Sequence, residues 1–126
     1  MHKKHLVLIL LIVLPFLWAT LATPSPVRAA TITVDSLADN TTADGDCTLR
    51  EAIQNANDDA ATFSDCVAGT GADIIDFGGA AASGTITFTT VSEIFVTDPD
   101  GLTIDGGDDI VLDGGGSPAG TRLFTV

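Results

Sequence analysis

Carboxylates dominate the reactive groups of this chain: 17 Asp and Glu stand against five Lys and Arg and two His. Carboxylates can work as acid–base pairs, hold calcium or shape turns. Asp108 and Asp109, in "GGDD", have the adjacency of a hydrolytic pair, but aspartates beside glycines are ordinary turn formers, and no catalytic residue is assigned. Counted from Asn40 as position 1, Asn40, Thr42, Asp44, Gly45, Asp46 and Glu51 follow the spacing of a twelve-residue calcium loop, with glycine sixth and glutamate twelfth. This makes Asn40, Asp44, Asp46 and Glu51 a calcium candidate; calcium apart, no cofactor is expected. Three features count against it. The preceding "TITVDSLAD" alternates like a strand where such a loop needs a helix, position 1 is not aspartate, and position 8 is Cys47. Thr48 and Glu51 also form a capping box, S/T-x-x-E, which accounts for both residues without a metal.

The compartment decides what the two cysteines do. Lys3 and Lys4, an apolar run from Leu6 to Leu14, and the small residues of "PVRAA" follow the order of a secretory signal, with cleavage expected after Ala29. The alternative is an uncut membrane anchor. Pro15 and the polar, proline-containing segment behind it favour cleavage, so the mature chain is not expected to be an integral membrane protein. Export to a secreted or cell-surface location is expected, and there Cys47 and Cys66 pair; two free thiols are the alternative. Cleavage removes both histidines, leaving Arg50 and Arg122 against 17 acids, a net charge of −15. Such acidity repels nucleic acid and anionic membranes. Without a mature histidine or a free thiol, Ser–His and Cys–His nucleophiles are excluded.

A helix is expected over residues 49–57. Behind the Thr48/Glu51 cap, Leu49, Ala52, Ile53 and Ala56 fall at i, i+3, i+4 and i+7, one apolar face. Arg50, Gln54, Asn55 and Asn57 are assigned to the other face. So short a helix does not stand alone in water; its face must lie on something, and Cys47 can rivet its start to the segment at Cys66. The spacing reads as a lid.

Beyond Gly84 the chain alternates. The pairs Ile86/Phe88, Ile94/Val96, Leu102/Ile104 and Ile110/Leu112 begin eight residues apart, separated by turn signals at 97–101, 105–109 and 113–120. "ADIIDF" precedes this series and "RLFTV" follows it. Two mostly-β architectures fit: a small antiparallel β-sandwich, or the start of a parallel β-helix, a single-chain solenoid with three strands per coil. A 24-residue coil stacks Ile110 and Leu112 on Ile86 and Phe88, and brings Phe124 and Val126 near Leu102 and Ile104. The helix then covers the open apolar end of the first coil.

"CTLREAIQNAN" resembles the CSLREAI motif found near the N-terminus of many exported bacterial proteins, with Thr48 in place of serine. "ITVDSLADNTTADGDC", "DCVAGTGADIIDF", "GTITF", "GLTIDG", "IVLDGGG" and "RLFTV" agree with it, so the resemblance covers essentially the whole mature chain. It implies a surface or secreted right-handed parallel β-helix, related in architecture to pectate lyases and adhesin-type passengers, and it transfers no enzymatic activity. The organisation expected is a signal peptide (1–29), an N-terminal strand, capping helix and disulfide loop (30–83), and the first coils of a β-helix (84–126), truncated relative to the family. The expected function is an N-terminal capping and nucleating segment, structural or adhesin-like, facing cell-surface glycan or protein. The alternative is a polysaccharide-binding or polysaccharide-degrading β-helix whose active part lies outside this chain. A pectate-type lyase wants calcium and a basic residue, and only Arg50 and Arg122 are present. The mature chain also lacks Tyr and Trp as sugar-stacking platforms, and Phe63 is the one phenylalanine not assigned to the core.

Overall fold

The computed structural model describes residues 28–89, 93–115 and 122–126. The expected signal peptide therefore lies outside the described residues, except for Arg28 and Ala29, which are exposed. The same is true of residues 116–120 in the expected turn at 113–120, and of Ser92 in the run leading into Ile94. Among the described residues, no helix is long and apolar enough to cross a membrane.

The protein is mostly strand with little helix. β1 (Thr31–Val34) is followed by α1 (Leu49–Asp58), β2 (Ile74–Phe77), a single 3-10 turn (Gly79–Ala81), β3 (Gly84–Thr87), β4 (Ile94–Phe95), β5 (Thr103–Ile104), β6 (Ile110–Asp113) and β7 (Phe124–Thr125). These strands form three small sheets, β1-β2-β5, β3-β6 and β4-β7. From β2 onward the chain visits the three sheets in turn, then visits them again in the same order. All four pairings are parallel, which overturns the antiparallel sandwich. Parallel neighbours need long crossovers; two intervening strands supply those of β2–β5, β3–β6 and β4–β7, and α1 with its loops supplies that of β1–β2.

The register differs from the 24-residue expectation. Ile74 pairs with Thr103, Gly84 with Ile110 and Ile94 with Phe124, offsets of 29, 26 and 30 residues. Leu112 therefore lies beside Ile86 and Ile110 beside Gly84, two residues from the expected stacking. A slip of two keeps every side chain on its own face, so an alternating pattern cannot distinguish the registers. Backbone bonds from Gly84 N to Asp109 O (3.0 Å) and from Phe88 N to Asp113 O (2.8 Å) set the one adopted. Phe124 belongs to the β4 sheet rather than beside Leu102, although both residues line one cavity of about 590 Å³ with Val96, Ile104, Leu112 and Val126.

The core gathers Ile32 and Val34 of β1, Ile75 of β2, Ile86 and Phe88 of the β3 segment, Ile94 of β4, and the Leu49, Ala52, Ile53 and Ala56 face of α1. β1 and β3 alternate exposed and buried residues, as one-faced strands should. The four helix residues are each no more than 1% exposed, so α1 rests on the apolar interior between the strands. Asp73, fully buried, ties β1 to the start of β2: its Oδ1 accepts from Ala30 N (2.9 Å) and Thr70 N (3.0 Å).

Candidate functional site

The group with the most built-in structure is α1 with its two flanking loops. Thr48 is the N-cap, in extended conformation, and the capping box is reciprocal: Thr48 Oγ1 accepts from Glu51 N (3.4 Å), and Glu51 Oε2 accepts from Thr48 N (3.0 Å). Thr48 Oγ1 also donates to the Asn40 carbonyl (2.8 Å), which anchors the preceding loop to the cap. Glu51 is fully buried, and its second oxygen, Oε1, has no hydrogen-bond partner. The helix ends at Asp59, which takes a left-handed conformation (φ 48°) and donates its N–H to the Ala56 carbonyl.

Cys47 and Cys66 are joined in a disulfide with Cα atoms 4.9 Å apart. Both are buried. The bridge fastens the start of α1 to the loop that follows it. Asp65 reinforces the join, its Oδ2 accepting from Asp44 N (2.9 Å) and Gly45 N (3.1 Å). On the other side, Asp35 Oδ1 accepts from Cys47 N (2.7 Å).

Asn55 does not lie on the exposed face to which the helical spacing assigned it. It is fully buried, and its Nδ2 donates to the carbonyls of Phe63 (2.9 Å) and Val67 (3.0 Å) while its Oδ1 accepts from Phe63 N (2.7 Å). Asn55 thus substitutes for secondary structure in the disulfide loop, and its bonds to the Phe63 backbone give that residue its place. Gly69 completes this contact. A Cβ there would run into the Asn55 carbonyl, Ala56 Cα (2.7 Å) and Asp73 Oδ2 (2.7 Å), so only glycine permits the loop to lie this close to the helix.

Arg50 also turns inward. It forms an ion pair with Asp39, and its guanidinium carbon lies 5.4 Å from the centre of the Phe88 ring. Phe88 in turn meets Phe124 edge-on, ring centres 6.2 Å apart. Asp39 Oδ2 accepts from Thr89 N (2.7 Å), beyond the end of β3. The helix is therefore connected to the strands by charge and aromatic contacts as well as by its apolar face. Arg50 lies in the lining of a shallow cavity of about 170 Å³ with Thr41, Ile53, Gln54, Phe63, Glu93 and Phe95.

The calcium candidates are not brought together. Asn40 Oδ1 accepts from Thr42 N (3.0 Å), Asp44 Oδ1 from Asp46 N (3.1 Å), and Glu51 caps the helix. Asp44 and Asp46 are exposed while Glu51 is buried. Among the described residues, no group of three or more His, Cys, Asp or Glu side chains is disposed to hold a metal ion. Asp108 and Asp109 stand exposed at a corner, where the Asp109 carbonyl accepts from Gly84 N. Asp98, Asp105 and Asp113 each accept, through Oδ1, the N–H of a glycine two or three residues on, the turn-forming role expected of aspartates beside glycines.

Sequence reasoning missed Asn55, Asn57, Asp39 and Asp73. Helical periodicity reads an amide on a helix as a solvent-facing residue, and no local pattern marks a side chain that bonds backbone far along the chain. The chain matches no family model, no curated protein and no solved structure.

Proposed function

We propose that the chain is an N-terminal capping and nucleating segment of a secreted or cell-surface parallel β-helix, with a structural or adhesin-like role. The observation that carries this reading is the order of the strands. β2, β3 and β4 lie in three different sheets, and β5, β6 and β7 return to the same three in parallel register. A chain that coils three strands at a time leaves an open apolar end at its first coil, and such an end must be covered. The buried apolar face of α1 meets that need, and the Cys47–Cys66 bridge suits an oxidising compartment. The apolar cavity bounded by Leu102, Ile104, Leu112 and Phe124, among strands of the second round, supports a β-helix that takes further coils on that side.

Two measurements test the two halves of this reading. Fractionation of cells expressing the full chain is expected to find an extracytoplasmic product with Ala30 at its N-terminus; an intact cytoplasmic product overturns export. Ile53→Asp places a charge in the buried helix face and is expected to abolish the β-sheet circular dichroism of the mature chain. An Ile53→Asp variant with unchanged spectrum and Tm overturns capping and nucleation.

A further inference from the structure

Among the described residues, β4 has one strand neighbour, β7, along one edge. The amides of Ile94 and Val96 donate to the carbonyls of Leu123 (2.9 Å) and Thr125 (2.8 Å). Alternate residues of a strand aim their backbone groups to opposite sides, so Phe95 C=O and Thr97 N–H face away from β7. There they meet one side chain. Asn57 Nδ2 donates to Phe95 O (2.8 Å), and Asn57 Oδ1 accepts from Thr97 N (2.7 Å) and from Asp98 N (3.1 Å). A residue of a parallel neighbouring strand makes the same two bonds: its N–H reaches one carbonyl, and its C=O receives the N–H two residues further on.

We propose that Asn57 is a strand surrogate, whose carboxamide takes the place of one peptide of a parallel neighbour and closes the outer edge of β4 against the strands of a second copy of this chain. The edge needs closing. Phe95 is 55% exposed beside it, and an apolar side chain next to free backbone donors and acceptors invites strand addition. Only asparagine suits the position. Alanine has neither group, aspartate keeps the acceptor but loses the donor, and glutamine carries the amide one carbon further out. This inference rests on the capping reading and assigns one residue its part in the cap.

The test uses the exported, disulfide-bonded chain, with amide hydrogen exchange read residue by residue and association read by sedimentation. Asn57→Ala is expected to speed exchange at Thr97 and Asp98 by about tenfold or more, the scale of one lost hydrogen bond, while Ile94 and Val96 keep their rates. The variant is also expected to self-associate as its concentration rises. Asn57→Asp is expected to protect Thr97 in part and still to associate, and it serves as the reading if Asn57→Ala does not fold. Gln54→Ala, which removes only an exposed contact to Asp58, should change neither measurement. Unchanged exchange at Thr97 overturns the proposal. So does a uniform rise along the chain, a variant that opens at Thr97 yet stays monomeric, or an Asn57→Asp chain indistinguishable from Gln54→Ala. Because exchange at Thr97 reports β4 alone, these outcomes are separable from failure of the capping reading, which Ile53→Asp tests.

Discussion

Glu51 uses one oxygen to cap α1 and leaves the other buried without a partner. Removing the carboxylate exposes the difference between the two. Glu51→Ala strands the buried Thr48 N–H, so a loss of about 1–3 kcal/mol is expected in denaturant unfolding. Glu51→Gln keeps an acceptor for Thr48, and its loss is expected to be smaller; an equal loss would show that charge, not the cap, is what matters. Asp58 offers a pH-dependent case. Hydrogen bonds from Thr62 and then Gln54 hold its carboxyl below the ordinary aspartate value. A depressed folded-state value stabilises above the unfolded value and is lost as pH falls through the folded one. Thermal melts should therefore show a small advantage of the wild type over Asp58→Asn near neutrality that disappears in acid below the aspartate range. An advantage that grows in acid would contradict the assignment. The cap was legible from Thr48 and Glu51 alone because a capping box is a contact within one turn. The inward roles of Asn55 and Arg50 were not, because their partners lie in other segments.

At the scale of the element, α1 is held by its apolar face, its disulfide and its amide side chains. Ile53→Ala empties a fully packed position, and a cost of about 2–5 kcal/mol is expected from calorimetry or denaturant titration. Replacing Cys47 and Cys66 together by alanine frees the nineteen-residue separation they close, with an expected loss of about 3 kcal/mol in the chain-entropy account. A double variant as stable as the wild type would show that Asp65, Asn55 and Gly69 hold the loop without the bridge. The helix boundaries were readable to within a residue, since the apolar stripe and the cap coincide. The strands were readable as strands, but their register was not. The pattern repeats every two residues, so an offset of 24 and the observed 26 between β3 and β6 bury the same faces.

Across the whole molecule, charge repels charge. With 17 acidic residues against five Lys and Arg, the folded chain works against its own field, and screening should relieve it. Tm is expected to rise between low salt and about 0.5 M sodium chloride as the Debye length shortens and the repulsion is screened; a fall would mean that attractive pairs such as Arg50–Asp39 outweigh the repulsion. The same chain also distinguishes screening from a specific metal site. Calcium and magnesium at equal concentration should shift Tm equally, because the Asn40, Asp44 and Asp46 oxygens serve local turns and Glu51 serves the cap. A larger shift with calcium would restore the loop at 40–51 as a calcium site.

The sequence by itself determined the features whose partners are near in the chain: the capped helix, expected at 49–57 and found at Leu49–Asp58, the alternation of the short strands and the aspartate-shaped corners between them. These follow from rotamers, helical and strand periods, and hydrogen bonds spanning a few residues. Tertiary structure alone decided which strands became neighbours, their offsets of 29, 26 and 30 residues, and that Asn55 and Asn57 face other segments rather than water. Those outcomes depend on groups brought together from 8 to 12 residues apart at Asn55 and from 26 to 41 apart at the strands and Asn57, where a one-dimensional pattern has several equivalent solutions and only packing and hydrogen-bond satisfaction choose among them.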